Sequence, residues 1–267
     1  MNRFSKYARA YGIAIQQVLQ RRSTLLMDRL GGIAVIVSLY YFWTALLGDK
    51  PSFLGYSKEQ MLSYVLAMNV LRSFVFTGRG WELVGDISSG RISTYLVRPI
   101  SYHGYSLALD LAQKTVHVAA AFLEVGVLIL LVRAPVYRPQ ALSAWIIFPL
   151  SVVVSSLIFF FLEFIVSSLA FWTSESGGPL FCFELFLQFA AGTFFPLDVL
   201  PQAAQSALKM TPFPYMVFLP INIYLERVSP SEAARILCIQ GAWLAGFMWI
   251  SSRVWDIGLQ NYSAEGG

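Results

Sequence analysis

Residues 142–172, LSAWIIFPLSVVVSSLIFFFLEFIVSSLAFW, hold a single charged side chain, Glu163. A helix needs about 20 apolar residues to cross the hydrocarbon of a bilayer, and this run exceeds that. Trp145 and Trp172 stand near its ends, about 40 Å apart at 1.5 Å per residue, as aromatic belts on two membrane faces would be. Pro149 inside it is expected to bend the helix, its freed carbonyl satisfied by neighbours.

Working outward, five further apolar runs of this kind occur at 25–47, 60–77, 105–132, 179–197 and 233–255. Strands of a membrane barrel alternate over about ten residues, so these uninterrupted runs are helices. Composition agrees: of 267 residues 57% are hydrophobic and 13% charged, against roughly 25% charged in a soluble domain. Too little polar surface exists to cover a water-soluble globule. A soluble enzyme, a disordered chain and a disulfide scaffold are excluded. The expected fold is an all-α membrane protein, one transmembrane domain over 1–267 with six spans.

The net charge of +4 reads as cationic loops against anionic lipid rather than as a nucleic-acid surface. With the N-terminus inside, the inner side collects Arg3, Lys6, Arg9, Arg21, Arg22, Arg29, Arg79, Arg91, Arg98 and Arg253. The outer side collects Lys50, Lys58, Arg133, Arg138, Lys209, Arg227 and Arg235. This bias predicts cytoplasmic termini. Cys182 and Cys238 lie in apolar runs and read as small core residues, not as a disulfide or metal pair.

Residues 1–22 differ from the spans. Phe4, Tyr7, Ala8, Tyr11, Ile15, Val18 and Leu19 recur at helical spacing, with Arg3, Lys6, Arg9, Gln16, Gln17 and Gln20 between them. That is an amphipathic helix of the kind that lies in the headgroup layer. A short apolar core with a small-residue cleavage site is not visible, so the helix is expected to remain. Ser57–Gln60 reads as a capping box opening the second span, and Ser229-Pro-Ser-Glu232 as the start of the sixth.

Two segments are not spans. Residues 78–104, GRGWELVGDISSGRISTYLVRPISYHG, mix charges with Trp81, Leu83, Ile87, Ile92 and Leu96, and Gly85, Gly90 and Pro99 break them into short helices. The alternatives are a solvated loop and a docking surface, and the large apolar residues favour docking. Residues 192–230 hold Pro196, Pro201, Pro212, Pro214, Pro220 and Pro230, too many for one helix, yet 215–225 is apolar enough to enter the bilayer. Helical pieces that dip in and return are expected, as an outer gate or as a packed loop.

This order of parts resembles the permease subunit of type-2 ABC exporters. The closest stretches are GRISTYLVRPI at 90–100, GTFFPLDVLP at 192–201 and PFPY at 212–215. It looks most like the small branch whose permeases are often encoded as unlike pairs. The resemblance implies a plasma (inner) membrane location and a second permease, hetero- or homodimeric. Separate ABC ATPase subunits would bind the ATP and magnesium; this chain would bind no cofactor. It also implies that 1–22 is a connecting helix and that 78–104 is a coupling region. There Glu82, Asp86, Ile87, Gly90, Arg91, Ile92, Leu96, Arg98 and Pro99 would meet the ATPase. Charge reversal at Glu82 or Asp86, or proline at Ile87, is expected to uncouple the two. Gly192, Phe194, Phe195, Pro196, Pro201, Pro212, Pro214 and Tyr215 would form the outer re-entrant gate. The cargo would be amphipathic: a lipid, a drug or a lipid-linked glycan.

The chain holds no phosphate-binding loop, nor any Gly-Lys pair, so energy must come from elsewhere. Asp110, Lys114, Glu124, Glu163 and Glu184 fall within predicted spans. Each ionised group there costs roughly 2.5–3.5 kcal/mol and needs a partner or a wet surface. Asp110 and Lys114 can pair along one face as an interfacial ion pair, with His117 joining the row. Glu124, Glu163 and Glu184 either line a pathway or make helix contacts. A proton- or ion-coupled carrier using these acids is the rival, though no internal repeat supports it. His103 and His117 are the only histidines, and no hydrolase or metal motif accompanies them, so neither catalysis nor a metal site is expected.

Overall fold

The structure, a computed structural model, describes residues 3–265 except 49, 51, 98, 99 and 174. The helices are α1 (Arg3–Gln20), α2 (Arg22–Leu47), α3 (Lys58–Val75), α4 (Gly80–Ser88), α5 (Ile92–Leu96) and α6 (Tyr102–Val132). They continue with α7 (Leu142–Ser167), α8 (Gly177–Ala190), α9 (Gln202–Lys209), α10 (Phe218–Tyr224) and α11 (Pro230–Glu265). Among the described residues five stretches are long and apolar enough to cross a membrane: Ser23–Leu47, Lys58–Ser88, Tyr102–Val132, Leu142–Phe171 and Pro230–Tyr262. The chain is an all-α, multi-pass membrane protein.

Local chemistry sets the element ends. Ser57 Oγ accepts from the Gln60 N–H and the Gln60 side chain accepts from the Ser57 N–H, both at 3.1 Å, so the capping box forms. Ser229 Oγ accepts from the Glu232 N–H and Pro230 is the first residue of α11. A feature not foreseen is a small antiparallel hairpin, β1 (Ser52–Phe53) with β2 (Tyr56–Ser57). Its turn residues Leu54 and Gly55 both have positive φ, the conformation that a two-residue turn matching the strand twist requires.

The fifth expected span, 179–197, is shorter in the structure. Gly192, at φ 80°, closes α8 in a Schellman motif: its N–H donates to Phe189 O and the Thr193 N–H to Gln188 O. The chain then makes an excursion and comes back beside α8 at Phe218, whose N–H donates to Ala191 O at 3.1 Å. Helical pieces fill the stretch between, where Met216 and Val217 are fully buried, as is Ile221 in the helix that follows.

Helix α3 is the axis of the bundle, packed by α2, α6 and α7, while α11 runs along α7 and α1 along α6. Tyr56, Met61, Leu62, Tyr64, Val75 and Ile158 are at most 1% exposed in the main core. A second core joins the α4–α5 segment to the far end of the bundle through Leu83, Ile87, Ile92, Tyr102, Phe171 and Trp255. By contrast Leu123, Leu130, Leu131 and Leu142 are 70–80% exposed, apolar surface that hydrocarbon rather than water covers. Cys182 and Cys238 are exposed too, correcting their assignment to a core. The outside of a membrane bundle is as apolar as its interior, so an apolar run does not separate the two.

Candidate functional site

A cavity of about 790 Å³ lies between α1, α2, α3, α4, α6, α7 and α8, a volume typical of small-molecule sites. Its polar lining includes Arg21, Asp28, Arg29, Asn69, Arg72 and His117 on one side. Arg79, Glu82, Glu163 and Glu184 line the other, with apolar wall from Val35, Phe76, Phe159 and Leu187.

Three of its acids are each held by a neutral donor. Glu163, on α7, accepts from the Arg79 backbone N–H at 3.1 Å. The chain at Gly78 and Gly80 lies so close that a Cβ on either would collide with that side chain. Glu163 thus grips the elbow between α3 and α4. Glu82 accepts from Gln113 Nε2 at 3.0 Å, and Glu184 takes a hydrogen bond from the Trp81 side chain.

Glu124 sits at a contact of three helices. Arg29 Nη1 of α2 is 3.5 Å away and Asn69 Nδ2 of α3 donates at 3.3 Å. Arg29 Nη2 also lies 2.9 Å from His117 Nδ1. His117 therefore does not join the Asp110–Lys114 row. Three residues along a helix turn it about 60° aside, toward α2. Asp110 and Lys114 do pair, at 2.7 Å, but 1% and 0% exposed and with Phe159 of α7 beneath the ammonium. They lie in the interior of the bundle.

The α4–α5 segment has two faces. Asp86, Ile87 and Ile92 are buried, Asp86 paired with Arg91 at 3.0 Å and within 3.5 Å of Tyr102 Oη. These residues fasten the segment to the rest of the bundle. Gly90, at φ 76°, turns the chain, and its carbonyl accepts from Tyr262 Oη of α11 at 3.2 Å. Arg91, Leu96 and Val97 are exposed. Arg98 and Pro99 lie outside the described residues.

At the opposite end Tyr56 is the centre of a cluster. Its hydroxyl donates to Asp198 Oδ2 at 2.7 Å, and the Arg227 guanidinium stacks 3.3 Å from its ring centroid. Burial, then Asp198, pushes this phenol well above its ordinary value, so it remains a donor. Glu226 accepts from Tyr137 Oη at 2.6 Å and from the Gln140 and Ala141 N–H groups ahead of α7. Of the expected gate residues, Gly192, Pro196, Pro212, Pro214 and Tyr215 are buried, Phe194 and Phe195 half-buried, and Pro201 exposed. Phe194 packs on Phe189, ring centroids 4.9 Å apart.

Sequence reading missed Arg29 and Arg72 as cavity residues, counting the first among loop cations and passing over the second. The available signal was an arginine inside each of two apolar runs. Among the described residues no group of three or more His, Cys, Asp or Glu could hold a metal ion. Residues 33–266 match a family model described as "ABC-2 family transporter protein". No curated protein matches the chain.

Proposed function

The chain belongs to the ABC-2 transporter family, and from that premise we propose that it is the permease subunit of an ABC exporter, moved by ATPase subunits that it does not contain. The family match over most of the length, in a sequence with no phosphate-binding loop, carries this reading. Two permeases, alike or unlike, form the pathway, and ATP and magnesium stay with the partner.

In this reading six segments cross the membrane, the short α8 completing the five long helices, and both termini are cytoplasmic. The exposed strip of Arg91, Leu96 and Val97 is the surface that an ATPase pushes. The push travels along α4, through the elbow that Glu163 grips, into the cavity wall. The Tyr56–Asp198–Arg227 cluster and the aromatic pieces after Gly192 close the outer side. The cargo is amphipathic, because the cavity sets charged groups against apolar walls.

Purification in mild detergent from the native host tests this. A nucleotide-binding subunit and a second permease are expected to travel with the chain, and vesicles holding the complex to move cargo only with ATP. Transport by this chain alone, down a proton or sodium gradient without nucleotide, would overturn it.

A further inference from the structure

Arg29 and Arg72 both line the cavity, but only Arg29 is paired with a carboxylate. Glu124 is paired with Arg29, whereas no hydrogen bond or ion pair joins the Arg72 guanidinium to another described residue, and the charged group acting on it is Arg29 itself. Both line the cavity, and the three acids of its far side are each held by a donor of their own. On this side Arg21, Arg29 and Arg72 stand against the two carboxylates Asp28 and Glu124, so one cation is in excess. A guanidinium at membrane depth without a counter-charge marks a functional site by default. Its planar fork matches the oxygens of phosphate.

Beside the two arginines lie Val35 and Phe76, apolar surface for a chain, and Ala14, Gln17 and Val18 of the amphipathic α1 line the same cavity. A helix of that character lies at headgroup level. We propose that Arg72, with Arg29, binds the phosphoryl group of an anionic amphiphile entering the cavity from the headgroup layer. This rests on the permease reading and names its cargo class.

The test uses the full chain with whatever subunits co-purify, in nonionic detergent. Thermal stabilisation is titrated with dioctanoyl phosphatidylglycerol, with dioctanoylglycerol, which lacks phosphate, and with inorganic phosphate. The phospholipid is expected to stabilise saturably and dioctanoylglycerol not at all. Arg72→Gln should weaken the phospholipid about ten-fold, the worth of one charge-assisted contact. Glu124→Gln, which frees a second cation, should tighten it several-fold and serves where Arg72→Gln does not fold.

Binding of phospholipid alone identifies a lipid headgroup as the source. Equal, Arg72-dependent protection by inorganic phosphate identifies the free ion; both uphold a phosphoryl site. Dioctanoylglycerol matching the phospholipid, or affinity unchanged in both variants, overturns it. Co-purification of an ATPase with Arg72→Gln, binding lost, separates this site from the permease reading. Binding intact with no ATPase present sinks that reading and leaves the site standing.

Discussion

Gln240 of α11 donates through Nε2 to the carbonyl of Tyr215, 2.7 Å away, and with the same group reaches Ser155 Oγ at 3.0 Å. One fully buried amide thus ties α11, α7 and the proline-rich segment together. Replacing it by leucine removes the donor that joins α11 to α7 and leaves the Tyr215 carbonyl with the Ser155 hydroxyl alone. Gln240→Leu is expected to lower stability by about 1–3 kcal/mol, read from chemical unfolding in detergent. Ser155→Ala should cost less, since Gln240 still serves the Tyr215 carbonyl.

The elbow at Gly78 gives a sharper test. Gly78→Ala drives a methyl group into the Glu163 carboxyl, and overpacking of this kind costs about 1–3 kcal/mol. Glu163→Ala in the same chain should recover most of that loss. A double-mutant cycle on melting temperature checks it, and additive losses would rule out the contact.

Acid should loosen the end of the molecule that holds Glu226. The Tyr137 hydroxyl first, then the Ala141 and Gln140 N–H groups, hold this carboxyl below its ordinary value of 4.5. A lowered folded value means that the stabilisation is present above about pH 4.5 and is lost as pH falls through that lowered value. Tyr137, raised to about 12 by burial and by Glu226, stays a donor throughout. Glu226→Gln should flatten the acid limb of a stability-versus-pH curve, and an unchanged limb would assign it to other groups.

On the α4–α5 segment the two faces should part company. Leu96→Asp and Val97→Asp alter exposed side chains, and their effect on stability should stay within about 0.5 kcal/mol. ATPase co-purification and ATP-dependent transport should fall. Ile92→Asp, at a position with 0% exposure, should instead unfold the segment, losing more than about 3 kcal/mol. Ile87→Pro and reversal at Asp86 belong with the second group, because both side chains are buried.

How much of this was legible follows from the range of each signal. The Ser57–Gln60 box and the start of α11 are set within four residues and were read directly. The Asp110–Lys114 pair, one turn apart, was found, but its depth was not, because burial depends on α7. The end of α8 was overrun since residues 191–197 are apolar enough to continue a helix; what stops it is the conformation of Gly192. Arg29 and Arg72 belong to helices far apart in sequence from α6 and α8, so a cavity made by all four has no local trace. The docking residues were chosen by composition, which finds the segment but not which side of it faces in.

The stretch between Ala191 and Phe218 has a consequence for engineering. Its ends meet at one joint, and its tip, α9, has no fully buried side chain and touches the core at Leu208. Beyond Leu208 the bundle is blind to what the exposed face of that tip carries. An epitope, a fluorophore attachment point or a whole folded insert could be carried there, giving a handle on the end of the molecule that holds Tyr56 while the helices below keep their register.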